Sequence, residues 1–218
     1  MSVDTKILSI GKMLGSVNEV YRIPLYQRTY TWGKDQWNEL WEDLIKLEEE
    51  ETHFLGSIIS IGTEQKKGFS YFEVVDGQQR ITTILILLTA IRDLAEKNDK
   101  DRAGYINNYF LKSSTIDEKE DKLILGRKDN KVFKRLVEKG VRREEGKSDK
   151  IIQAYFFFKE KLQENNKSWQ KVYTRLLSSF ELVLMVTDSY YDAFRLFETL
   201  NTRGLSLSSV DLIKNYLL

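Results

Sequence analysis

Between Arg80 and Lys97 the sequence is apolar on nearly every face of a helical wheel: Ile81, Ile84, Leu85, Ile86, Leu87, Leu88, Ile91 and Leu94. A helix that is hydrophobic all round must be surrounded by other elements, so this segment belongs in the middle of a core. Enclosing it takes a substantial chain, and 218 residues suffice for one large domain or one domain with an insertion. A content of 41% hydrophobic and 31% charged residues is that of a folded globular chain. The longest apolar run, Ile84–Leu88, is far too short to span a bilayer. The N-terminal segment carries Asp4 and no apolar stretch of signal-peptide length. The expectation is a soluble cytoplasmic chain with no membrane partner.

The elements around that helix can be read from spacing. Thr5–Leu14 has apolar residues at helical intervals and is expected as a short amphipathic helix ended by Gly15. Val20–Leu25 reads as a strand, and Pro24 favours an edge position or a strand end. Lys34–Glu51 is a helix with Trp37, Leu40, Trp41 and Leu44 on one face, fraying at the acidic Glu48–Glu51. His53–Ile61 and Phe69–Val75 form a hairpin across a Glu64–Gly68 loop. Charged connectors and short helical patterns then mark residues 98–180 as a mainly helical insertion. In it, Tyr155–Phe158 are expected in the core. Glu181–Thr187 is a near-continuous apolar run, fitting a buried strand that returns to the first sheet. Asp192–Leu200 and Ser208–Leu218 are helices around the Asn201–Leu207 loop, and the last ends without a cap, as in an N-terminal piece of a longer protein.

Rare residues exclude whole classes of chemistry. Without Cys there is no disulfide, thiol nucleophile or Cys-ligated metal. With His53 alone there is no two-histidine site, and a lone His is more often packing than catalysis. Lys plus Arg at 34 against Asp plus Glu at 33 leaves a net charge of +1, so any basic site is local.

Three segments can carry chemistry. In Asp76-Gly77-Gln78-Gln79-Arg80, between a strand and the buried helix, the glycine permits close backbone approach. The helix start offers unpaired N–H groups, and Arg80 offers a planar fork suited to phosphate. Asp76 can bind a metal ion, a ribose hydroxyl or an arginine, and the same pattern also fits a plain connector with Asp76 as N-cap. In Ile23–Trp32, Gln27 and Arg28 can meet phosphate or a base edge, and Tyr26 or Tyr30 can stack on a base, while Tyr30 and Trp32 also suit the core beside Trp37 and Trp41. In Phe197–Leu205, Asn201 and Gly204 suit a helix end and Arg203 is presented from a loop; Asp211 and Lys214 beyond it fit a surface ion pair.

Taken together and in order, IPLYQRTYTW, HFLGSI, VVDGQQRITT and FETLNTRGLSLSSVDLIKNYLL resemble the N-terminal domain of the GmrSD family of modification-dependent (type IV) restriction enzymes and related phage-defence proteins. The match spans Tyr21 to about Leu94 and Glu181 to the end, with the middle matching only as a variable helical region. The resemblance implies an α+β fold: a small mixed sheet of ParB/sulfiredoxin-like type with packed helices, residues 1–97 and 181–218 forming a nucleotide-binding core and 98–180 a helical insertion. It implies nucleoside triphosphate (NTP) binding or hydrolysis by Asp76–Arg80, controlling DNA cleavage. It also implies a His-Asn-His nuclease domain or subunit that lies outside this chain.

The functional expectation is an NTP-binding, NTP-hydrolysing regulatory domain of a phage-defence DNA endonuclease. Asp76, Gln78, Gln79 and Arg80 are the catalytic candidates. Gln27, Arg28, Gly77, Asn201, Arg203 and Lys214 are the binding candidates, and Asp76 is the candidate Mg²⁺ ligand. Arg80, Arg28 and Arg203 would neutralise phosphates, and Gln78, Gln79 and Gln27 would orient oxygens or water. Two rivals are a DNA-binding module without hydrolysis and a nuclease using Asp76, Glu73 and Asp211 as metal ligands.

Overall fold

The computed structural model describes residues 3–144, 148–164 and 169–202. These form an α+β fold built on a mixed six-stranded sheet. Its strands are β1 (Val3–Ser9), β2 (Glu19–Arg22), β3 (His53–Lys66), β4 (Phe69–Asp76), β7 (Leu123–Ile124) and β8 (Phe180–Thr187). They lie in the order β1-β8-β3-β4-β2-β7, and β5 (Lys112–Ser114) with β6 (Lys119–Asp121) makes a separate two-stranded ribbon.

The buried helix is α3 (Gln78–Ala95), in which Ile81 and Ile84 to Leu88 are all buried. It lies on one face of the sheet with α1 (Ile10–Leu14), α2 (Lys34–Lys46), α4 (Lys100–Ile106), α5 (Arg127–Lys139), α6 (Lys150–Glu164) and α7 (Trp169–Ser178). Ile58, Val74, Leu182 and Leu184 of the sheet share one continuous core with Trp41, Ile106, Phe158 and Leu176 of these helices. The described part of residues 98–180 is mainly helical, contributes β7 to the main sheet, and joins that same core. Tyr155 and Phe158 are buried in it. The opposite face carries α8 (Tyr190–Thr202), whose Ala193 and Leu196 close a smaller core over Ile59, Ile61, Val75, Val183 and Met185.

Two elements differ from the expectation. Thr5–Leu14 is not one helix: β1 occupies Val3–Ser9 and the helix is only Ile10–Leu14, with the Ser9 side chain accepting from Lys12 N at 3.3 Å. β1 pairs antiparallel with β8 over its full length, Val3 to Thr187 through Ser9 to Glu181. As an edge strand it is half solvated, so backbone pairing decides its state and the helical spacing of Ile7, Leu8 and Ile10 is incidental. The β3–β4 hairpin is also tighter than a Glu64–Gly68 loop. Pairing runs to Lys66–Phe69, and Lys67 (φ 53°) with Gly68 (φ 82°) makes the two-residue turn.

Other boundaries fall where the chemistry put them. β2 ends at Arg22, before Pro24, though it is an interior strand between β4 and β7. α2 stops at Lys46, ahead of the acids. β8 lies between β1 and β3 and is buried nearly throughout.

Candidate functional site

β4 leads into α3 through one residue, Gly77, which is the helix N-cap at φ 91°. A β-carbon there would lie 2.8 Å from Ile58 Cγ1 and 3.0 Å from the Ser57 carbonyl oxygen, so only glycine makes this corner without strain. Asp76 is therefore the last residue of β4, not the N-cap, and α3 has no side-chain cap. The first-turn N–H groups of an α-helix lack intrahelical partners and carry partial positive charge. Here they open onto a cleft of about 420 Å³ lined by Asp76–Arg80, by Tyr26, Gln27, Arg28 and Trp32 of the loop after β2, and by Phe194 and Phe197 of α8.

Two glutamines hold that loop in place. Gln27 Nε2 donates to the carbonyls of Val74 (2.9 Å) and Val75 (2.7 Å), hooking the loop onto the end of β4. Gln79 is 6% exposed. Its Oε1 accepts from Thr31 N (2.7 Å) and Trp32 N (3.1 Å), and its Nε2 donates to Thr29 O (3.1 Å). Gln79 thus replaces missing backbone partners along the loop, as buried polar groups require. Tyr30 is core: its hydroxyl shares a 2.7 Å hydrogen bond with Thr83 and accepts from Trp37 Nε1 at 2.8 Å. Trp32, expected beside it in the core, is only partly buried and lines the cleft.

Arg80 Nη1 donates to Ser57 O at 2.5 Å. Burial pulls the guanidinium below its ordinary pKa while Asp76 pushes it back up, and Arg stays charged throughout. Room for it comes from Gly56, at φ 107°, where β3 slips register against β8. A β-carbon on Gly56 would lie 2.9 Å from Arg80 Nη2. Arg28 is exposed and has no ion-pair partner among the described residues, and the Gln78 side chain is likewise without a hydrogen-bond partner among them. A pocket of about 90 Å³ adjoins the cleft, bounded by Arg28, Gln78, Lys128 and Asp129. The Asp129 carboxylate there accepts from Tyr30 N at 2.6 Å, and burial raises its pKa.

The structure thus brings Gln27, Arg28, Asp76, Gly77, Gln78, Gln79 and Arg80 to one cleft. Asn201 falls in the last turn of α8, while Arg203, Lys214 and Asp211 lie outside the described residues. Asp76 is the lone carboxylate among the described lining residues. Mg²⁺ commonly takes one or two protein carboxylates and completes its shell with water and substrate phosphate, so this donor set fits the ion. Among the described residues no group of three or more acids or histidines is arranged to hold a metal, and Glu73 accepts a hydrogen bond from Tyr190; Asp211, the third acid of the nuclease alternative, lies outside them. Sequence reading assigned no role to Gly56, Phe194 or Phe197. A glycine inside a β-rich run is a bulge signal that pointed to the first. His53 stacks on Phe180 at 4.7 Å between ring centres and lies 3.4 Å from Asp43, a packing role.

Among the described residues no helix is long and apolar enough to cross a membrane. No curated protein matches the chain in sequence. A family model does match: the GmrSD restriction endonuclease N-terminal domain, over residues 10–218. With a match of that extent, covering both the Asp76–Arg80 corner and the loop that faces it, the chain belongs to the GmrSD restriction endonuclease family and represents its N-terminal domain.

Proposed function

We propose that the cleft at the β4–α3 corner binds the phosphates of a nucleoside triphosphate and hydrolyses it, as the regulatory step of a restriction-type, phage-defence endonuclease. The observation that carries this is convergence. Arg28, Gln78 and Arg80 and the uncapped start of α3 surround one small space, and two of those side chains have no protein hydrogen bond or ion pair among the described residues. Exposed and uncompensated, Arg28 suits an oxyanion that arrives with the ligand. Helix-start N–H groups add preorganised donors.

Roles divide by how each side chain is held. Arg28 and Arg80 neutralise phosphate charge, and Gln78 orients the attacking water. Water adds to the terminal phosphorus as the bridging P–O bond breaks; the nucleoside diphosphate leaves with that bond's electron pair, a water proton passes to solvent, and inorganic phosphate is the second product. Gln27 and Gln79 act at one remove, because backbone groups already occupy their amides. Asp76 would hold Mg²⁺ through water, and the ion would supply charge neutralisation on the phosphates. A ParB/sulfiredoxin-like core, cytoplasmic residence, DNA as the ultimate target and a separate nuclease domain or subunit belong to the same proposal.

Calorimetric titration with each of the four ribonucleoside triphosphates and Mg²⁺ tests it. Arg28→Ala removes an exposed side chain and leaves the fold intact. A lost charge-assisted contact lowers affinity by about tenfold to a hundredfold. Arg80→Ala abolishes binding. Wild-type affinity in both variants would contradict the proposal.

A further inference from the structure

The cleft lining combines two chemistries: charged and amide side chains with the start of α3, and the aromatic side chains of Tyr26, Trp32, Phe194 and Phe197. Large apolar side chains are normally covered, yet Phe194 is 46% exposed and Tyr26 63%. Neither is a stray surface residue, since both border a recess that Arg28 and Arg80 also line.

The position of α8 is fixed at both ends of this stretch. Tyr190, at its start, donates a hydrogen bond to the Glu73 carboxylate on β4. Ala193 and Leu196 bury into the smaller core on the sheet. Phe194 follows Tyr190 by four residues and Phe197 follows Phe194 by three, so these side chains share a helix face. That face borders the cleft.

We propose that Phe194 and Phe197, together with Tyr26, form a stacking subsite for the base of the nucleotide whose phosphates meet Arg28 and Arg80. The inference rests on the phosphate-binding reading above and adds to it where the other end of the ligand goes. An aromatic face attracts any planar base, and such stacking contributes a sizeable share of affinity. A ligand satisfying both sets of groups is a nucleotide: inorganic polyphosphate would leave the aromatic side chains wet, and a free base would leave Arg28 without an anion.

The test compares Mg²⁺ complexes of the four ribonucleoside triphosphates with inorganic triphosphate, titrated into the 218-residue chain and two variants. Phe194→Ala trims an exposed ring. Phe197→Leu keeps apolar volume toward the small core while removing the stacking face, and a thermal melt verifies that each variant is folded. Each substitution weakens the tightest-binding nucleoside triphosphate about tenfold, while inorganic triphosphate binds as in wild type. Unchanged nucleotide affinity in both folded variants overturns the subsite, as does equal loss for nucleotide and triphosphate. Wild-type protein binding inorganic triphosphate as tightly as any nucleotide also overturns it, with the phosphate site left standing. Wild-type protein that binds neither overturns both readings.

Discussion

Arg80 is set in place by two glycines. Gly56 leaves space for its guanidinium and Gly77 turns the chain so that α3 begins beside it. Gly77→Ala would force a β-carbon into Ile58 and the Ser57 carbonyl at a positive φ. The expected cost is about 1–3 kcal/mol, which lowers the melting temperature by several degrees in a chain this size. Gly56→Ala displaces the Arg80 guanidinium, so calorimetry is expected to show weakened nucleotide binding in a variant that still folds. Ser60 is different: its hydroxyl is buried with no hydrogen-bond partner among the described residues. Ser60→Ala removes that unsatisfied group and is expected to raise the melting temperature, read by calorimetry or circular dichroism.

The loop over residues 23–33 stands on side-chain hydrogen bonds, and that is where sequence reading stopped short. Gln79→Ala deletes the acceptor for Thr31 N and Trp32 N and the donor to Thr29 O. Amide exchange of residues 29–32 is expected to speed up and nucleotide affinity to fall, although no phosphate contact is lost. Exchange rates unchanged from wild type would refute this bracing role. From the sequence, Gln27 and Gln79 looked like ligand-facing polar residues, because nothing local says that their partners are backbone groups 47 to 50 residues away. The buried helix, the hairpin and the apolar run of β8 were legible because each buries enough side chains to print its period on the chain. β1 was misread as helix because it sits at a sheet edge, where pairing with β8 outweighs side-chain pattern. The site's Arg, Gln and Gly content was legible as a motif; the contribution of α8 was not, since nothing in the local pattern says that Phe194 and Phe197 reach this cleft.

The six strands and surrounding helices are also tied by one buried cation. Lys122, 0% exposed, donates from Nζ to Ser16 O at 2.5 Å and Glu19 O at 3.3 Å, joining the segment before β7 to the approach to β2. Burial lowers its pKa from 10.5 to about 8, with Glu19 opposing. Between pH 8 and 10.5 the unfolded chain therefore holds more protons at this position than the folded one, and stability gains from this group as pH rises through that window. Below pH 8 both states are charged and the burial cost is fully present. The stability difference between wild type and Lys122→Met should shift in favour of wild type from pH 8 to 10.5, measured by urea unfolding at each pH. A constant difference would show that burial does not lower the Lys122 pKa. The net charge of +1 makes any basic site local, in keeping with the proposed anion site at Arg28 and Arg80. The most direct test is a crystal structure of this chain with Mg²⁺ and a non-hydrolysable nucleoside triphosphate. The prediction is phosphate density between Arg28 and the Gly77–Arg80 turn, with the base against Phe194 and Phe197. Nucleotide bound at another surface, with this cleft holding only solvent, would contradict it.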